Sequence, residues 1–265
     1  MKRFIRYFYM IMIFVFCIIY MNKVFELSKK NDVIMDAINL YKDDFDYKCA
    51  EGSINDSNII IGNSGKSVNV IKSYGNMKGI GFKKDLISYD SDECVTSASN
   101  NLDKYIIGAF NTLNKVSIVV KINDGKYINE MVSIFDKNNA FVNMLANYNN
   151  VKYIDGRSNI AFSGNSEREY KSFKNTLKSY NIDKYYCSKS DKFDVLSLCA
   201  NDNISTLYVS EVVNRNLVSY IKNNVGAGNI IFISENEYIL SELSVAIKYI
   251  KSKGFNIVSL DELLK

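Results

Sequence analysis

Apolar positions change their rhythm along this chain, and the clearest rhythm is at its C-terminal end. Ile230 to Ile233 form a short unbroken apolar run, which predicts a strand buried on both faces. Leu240, Leu243, Ile247 and Ile250 then recur at three- and four-residue steps while Glu242, Lys248 and Lys251 fall on the other side, the pattern of an amphipathic helix. Gly254 sits where a left-handed C-cap is wanted, Phe255 to Val258 read as the next strand, and Ser259 with Glu262 forms a capping box for a last short helix. The same alternation begins at Lys115. Strands are predicted at Val116–Ile122, Phe141–Leu145, Asn159–Ser163, Lys184–Cys187, Thr206–Ser210, Ile230–Ser234 and Phe255–Val258. Helices are predicted at Tyr127–Lys137, Glu167–Tyr180, Phe193–Ala200, Leu217–Val225 and Tyr238–Lys253. Repeated strand–helix units predict an α/β fold with a parallel sheet, closed as an irregular barrel or open, with ligands meeting the C-terminal ends of the strands.

The first third follows other patterns. Lys2, Arg3 and Arg6 precede an uncharged run from Tyr7 to Met21, and no small-residue cleavage site follows. Residues 4–21 therefore read as an N-terminal transmembrane helix, an uncleaved signal anchor with its basic end inside and the rest of the chain extracytoplasmic. A stalk helix is expected from about Val24 to Phe45, followed by a polar linker. The organisation expected is a basic end and anchor at 1–23, stalk and linker at 24–58, a lead-in region at 59–104 and a domain at 105–265. Within the lead-in region, IIIGNSGKS suggests a phosphate-binding loop, but that loop needs a glycine where Ile60 stands. A strand followed by a Gly/Ser turn is the better reading. Val68 to Met77 suits a short helix, and Ser88 to Asn101 a surface loop.

Composition narrows the chemistry. The 265 residues contain no His, Pro or Trp, where average usage would give about a dozen prolines. Without imidazole, no histidine can serve as base, acid or ligand. The net charge of +4 is small and dispersed, so nucleic acid is not an expected partner. Of five cysteines, Cys17 falls inside the anchor. Cys49, Cys94, Cys187 and Cys199 fall outside it, where disulfides are permitted; buried free thiols are the default expectation, although packing could bring Cys187 and Cys199 together. No C-x-x-C pair marks a zinc site.

Two stretches carry a family resemblance. KVSIVVKINDGKYINEMVSIFDKNNAFVNML resembles the opening strand, T-F-D-D-G-type motif, helix and second strand of the polysaccharide deacetylases, the NodB-homology or carbohydrate esterase family 4 domain. GNIIFISE with IKYIKSKGFNIVSLDELL is similar to that family's last strand, its L-L-H-D-type motif and its K-x-K-G-[FY]-x-x-V-[ST]-L-x-E-L-L ending. The resemblance runs from about Tyr105 to Lys265. It implies an irregular (β/α) barrel and, in active members, removal of acetyl groups from glycans by a divalent metal held by one aspartate and two histidines, with a second aspartate as base and a histidine as acid.

Position by position, the resemblance places Asn123 where the base stands and Asp124 where the metal aspartate stands. It places Ser163 and Glu167 on the histidine pair, Tyr186, Cys187, Ser188 and Lys189 on the proline- and arginine-containing motif, and Ser234 on the acid histidine, with Glu235 after it. An amide cannot take a proton at neutral pH, so the base is gone. Asp124 is the one weak metal candidate, and Asp124 before Gly125 reads better as the end of a strand and the cap of a turn. These replacements imply a pseudoenzyme with no catalytic residues and no cofactor, the ancestral divalent metal site being lost. The function expected is binding or scaffolding at cell-wall glycan; the alternatives are a protein-interaction module of the envelope or sporulation machinery and a residual hydrolase of altered chemistry.

Overall fold

The computed structural model describes residues 2–30, 32–92, 94–110, 114–154 and 159–264; side chains at 2–6, 8 and 25–30 are outside the description. The chain divides into two compact units, residues 1–48 with 65–92, and residues 49–64 with 93–265. The second unit thus takes in 49–64 and 93–104 along with the 105–265 stretch.

The first unit contains α1 (Lys2–Lys30) and α2 (Val33–Phe45). The single stalk helix expected from Val24 to Phe45 is divided, because Asp32 is an N-cap: its side chain accepts from the Ile34 N–H at 2.9 Å, and its backbone is extended. Tyr74 also donates its hydroxyl to Asp32 at 2.8 Å. Side chains from Tyr9 to Val24 on α1 are exposed all round. Among the described residues no helix is long and apolar enough to cross a membrane; the anchor expected at 4–21 runs through residues 4–6 and 8, whose side chains lie outside the described set.

In the second unit, β1 (Ser53–Ile54) and β2 (Asn58–Ile61) come next, and the chain then returns to the first unit as β3 (Gly65–Val68), α3 (Val70–Met77) and β4 (Tyr89–Asp92). Strand β3 pairs antiparallel with β4, so the surface loop expected from Ser88 begins instead as a strand. Lys66 of the GK pair lies inside β3, with its ammonium over the rings of Tyr89 at 4.2 Å and Tyr47 at 5.3 Å. A phosphate-binding lysine would need to stand at a loop-to-helix junction. Met35, Ile38, Val68, Tyr74 and Met77 form this unit's core.

The rest of the second unit is built from β5 (Tyr105–Ala109), β6 (Lys115–Lys121), α4 (Ile128–Lys137), β7 (Asn143–Ala146), β8 (Asn159–Phe162), α5 (Glu167–Ser179), β9 (Tyr186–Ser188), α6 (Val195–Asn201), β10 (Thr206–Leu207), α7 (Leu217–Asn224), β11 (Ile230–Ser234), α8 (Glu237–Ser252), β12 (Asn256–Ile257) and α9 (Leu260–Leu263). One sheet runs β1-β2-β5-β10-β9-β8-β7-β6-β11, with β12 beside β6. All pairings from β2 onward along it are parallel. The sheet is a curled half-barrel: among the described residues, the gap beyond β11 is bridged by isolated contacts, Gly108 with Asn229 and Val213 with Ile233.

Alternation along the strands explains the two cores. On β6, Val116, Ile118 and Val120 pack under the helices, while Val119 joins Leu145, Ala161, Leu207 and Phe232 on the inner face. Between β7 and β8, where a helix seemed to be missing, stands a short 3₁₀ turn at Val151–Tyr153. The C-terminal signals act as read: Gly254 has φ +84°, and Ser259 Oγ accepts from the Glu262 N–H at 3.1 Å.

Two disulfides, Cys49–Cys94 and Cys187–Cys199, replace the expected free thiols. They close loops of 45 and 12 residues, each contributing about 3–4 kcal/mol if chain entropy dominates. Cys187 lies mid-strand in β9 on the helix-facing side, and α6 brings Cys199 against it.

Candidate functional site

Strands β6 and β11 lie side by side in parallel, Lys121 opposite Ser234. The segments leaving their C-terminal ends therefore meet. Asn123 Nδ2 donates to Ser234 Oγ at 2.9 Å and to the Glu235 carbonyl at 2.8 Å. The positions aligned with the family's base and acid are thus hydrogen-bonded to each other, with no room between them for a reacting group.

Glu235, two per cent exposed, organises this loop. Its Oε2 accepts from the backbone N–H groups of Asn123 at 2.9 Å and Gly125 at 3.0 Å, and its Oε1 from that of Tyr127 at 2.8 Å. Three successive odd-numbered amides form a nest that satisfies a buried carboxylate. From the other side, Asn150 Nδ2 donates to the carbonyls of Ile122 and Asn123, both at 3.0 Å. Gly125 allows the turn: its φ is +80°, and an added Cβ would come within 2.6 Å of the Tyr153 ring. Glu235, Asn150 and Tyr153 are the residues that sequence reasoning passed over as a group. Only Glu235 had a signal, its place after the last strand.

Asp124 is exposed, and its Oδ1 accepts from the Lys126 N–H at 3.0 Å, closing an Asx turn. At the end of β8, the Ser163 N–H continues the ladder to the Ala146 carbonyl at 2.8 Å. Ser166 caps α5 by accepting from the Glu169 N–H, and Glu169 accepts from the Asn165 N–H at 2.7 Å. Glu167, the first residue of α5, pairs with Lys171 one turn along at 2.5 Å. Cys187 is committed to its disulfide. Ser188, beside it, donates its hydroxyl to the Phe162 carbonyl at 2.8 Å.

The donor set does not fit the family's metal. The chain has no imidazole, Asp124 serves its turn, Glu167 serves its own helix, and a serine hydroxyl is a poor ligand for zinc. Among the described residues, the one group of three converging metal-donor side chains is Cys49, Glu51 and Cys94, which does not include Asp124.

No family model matches the sequence, and no curated protein matches it significantly. Solved structures do match in shape. The structure is similar to that of the wild-type family 4 carbohydrate esterase pseudoenzyme BA3943 from Bacillus anthracis, with a TM-score of 0.64 at 12% identity over 89% of this chain and 96% of that one. A mutant described as that pseudoenzyme with restored enzymatic activity gives 0.64 at 13% identity, over 88% of this chain and 98% of that one. PdaA, a family 4 carbohydrate esterase from Bacillus subtilis, gives 0.51 at 14% identity over 63% of this chain and 86% of that one. At these identities the likeness establishes the fold, that of the family 4 carbohydrate esterases.

Proposed function

We propose that this chain is a catalytically degenerate member of the polysaccharide deacetylase family that binds or scaffolds at cell-wall glycan without hydrolysing it. The observation that carries the loss of chemistry is the 2.9 Å contact between Asn123 and Ser234. A base and an acid must flank the bond they act on; here an amide and a hydroxyl occupy those positions and satisfy each other. General acid and base catalysis each contribute about 10²- to 10⁴-fold, so losing both removes most of the rate.

The glycan assignment rests on the fold and on the structures it resembles, which include a peptidoglycan N-acetylglucosamine deacetylase with a TM-score of 0.50. An extracytoplasmic location is supported by two disulfides. The exposed apolar side chains of α1 favour a membrane anchor, which partition of the full chain into the carbonate-washed membrane fraction would test. Co-sedimentation of residues 24–265 with purified peptidoglycan sacculi tests the glycan reading. Saturable retention, competed by soluble wall fragments, is expected; absence of retention would remove glycan as the ligand.

One observation favours a protein-interaction module instead. A groove of about 400 Å³ lined by Ile60, Ile107, Phe110 and the Ala227–Asn229 segment lies between the C-terminal ends of β2 and β5 and the start of β11, apart from the ends of β6 and β8. Ile107 and Phe110 are exposed there. Absence of retention on sacculi would favour this reading.

A further inference from the structure

The donor atoms of Cys49, Glu51 and Cys94 all lie within 4.8 Å of one another. Two of these atoms are the bonded sulfurs of the Cys49–Cys94 disulfide, and the Glu51 carboxylate lies beside them, its Oε1 3.4 Å from Cys49 Sγ; zinc with thiolates at about 2.3 Å would hold the two sulfurs about 3.8 Å apart, so the bridge must open before an ion can enter. Glu51 is held in place by its neighbours: its carboxylate accepts from the Val95 N–H at 3.0 Å, the Thr96 N–H at 3.1 Å and the Thr96 hydroxyl at 2.7 Å. These bonds, the Thr96 hydroxyl first, hold its pKa below the usual carboxylate value. Such outer partners are what orient a ligating carboxylate.

We propose that this cluster has two states: a disulfide when oxidised and, after reduction by a dithiol, a zinc-class site of two thiolates and the Glu51 carboxylate, with water as the fourth ligand. Cys49 is half-buried and Glu51 exposed, whereas Cys94 is buried, so reduction begins at Cys49. One thiolate of the dithiol attacks Cys49 Sγ, and Cys94 leaves as a thiolate. The second thiol then resolves the mixed disulfide, giving a cyclic disulfide reductant product and two protein thiols. Metal binding displaces their protons. The ion takes over the disulfide's role of tying the segment that carries β1 and β2 to Cys94. The other disulfide cannot switch in this way: Cys187 and Cys199 are both fully buried, and no carboxylate converges on them to complete a group of three among the described residues.

The test is metal uptake by the full chain, oxidised and after mild dithiol reduction followed by removal of the reductant, read by elemental analysis for zinc and by the thiolate charge-transfer band with cobalt. The reduced protein is expected to take up one equivalent of zinc and to show the cobalt band, and the oxidised protein neither. Glu51→Gln should keep the cobalt band and weaken zinc binding by about tenfold or more. Cys187→Ala with Cys199→Ala should leave uptake intact, and Cys49→Ser with Cys94→Ser should abolish it. No uptake by the reduced wild type, or uptake lost with Cys187 and Cys199, would overturn the proposal.

Discussion

The ends of β6 and β8, where the sequence resemblance would place the family's metal ligands, are organised in opposite ways. At the end of β6 the polar groups close on one another around Glu235, Asp124 alone staying out in its own exposed turn. Asn123, Gly125 and Tyr127 donate to Glu235, Asn123 donates to Ser234, and Asn150 closes the back. At the end of β8 the polar groups serve the helix that follows: Ser166 caps it, Glu169 steadies the entry and Glu167 pairs along its surface. The difference teaches that neither strand end is a waiting site that lacks only its catalytic residues. The side chains present have been given local structural work, so restoring one residue restores no site.

The largest effect expected is at the inward-turned end. Glu235→Ala would leave three backbone N–H groups without their partner and should destabilise the domain by about 3 kcal/mol or more, read by urea denaturation. Gly125→Ala follows, at roughly 2–3 kcal/mol, since it meets both a left-handed backbone and the Tyr153 ring. Asn123→Asp should cost about 1–2 kcal/mol, because a carboxylate cannot donate to Ser234 Oγ and the Glu235 carbonyl. It should produce no acetate release; turnover by this single change would show that the site had only been missing its base.

The helix after β8 sharpens the contrast through its far side. Asp202 receives the Lys174 ammonium at 2.7 Å and the Tyr170 hydroxyl at 2.6 Å, and these contacts, the lysine first, hold its pKa below the usual value of 3.8. A depressed folded-state pKa contributes stability above the unfolded value, and that contribution is lost as pH falls through the folded one. The stability gap between wild type and Asp202→Asn should therefore be present at pH 7 and shrink below about pH 4, measured by denaturation at each pH. Glu167→Gln, at an exposed pair, should change stability by less than about 0.5 kcal/mol. A larger loss would mean that Glu167 has a partner beyond its own helix.

What the sequence displayed were the local devices. The Ser259 N-cap, Gly254 and the apolar stripe of α8 each act through neighbours a few residues away, and each is where the pattern placed it, although Glu262, expected to complete a capping box, pairs with Lys115 instead. The starts of α4 and α5 were equally legible, within one residue. The division of the stalk at Asp32 carried a signal as well, an Asp before a helical run, but the continuing apolar periodicity concealed it. The Glu235 nest had no such trace. Its partners are backbone amides 108 to 112 residues away, and backbone amides leave no mark on a sequence. The Cys49–Cys94 disulfide was hidden for a related reason, since that pairing depends on which distant segments become neighbours, whereas Cys187 and Cys199, 12 residues apart, could be seen as a pair that packing might join. The family resemblance drew attention to the loop after β6, yet it could not show that Asn123 and Ser234 would satisfy each other.

The central claim is that the deacetylase fold is present and its chemistry is not. The most direct test is acetate release from N-acetylated chitooligosaccharides and peptidoglycan fragments by the full chain, supplied in turn with zinc, cobalt and manganese. The account expects no release above the protein-free control with any of the three metals. Metal-dependent turnover that disappears in Asp124→Ala would contradict it.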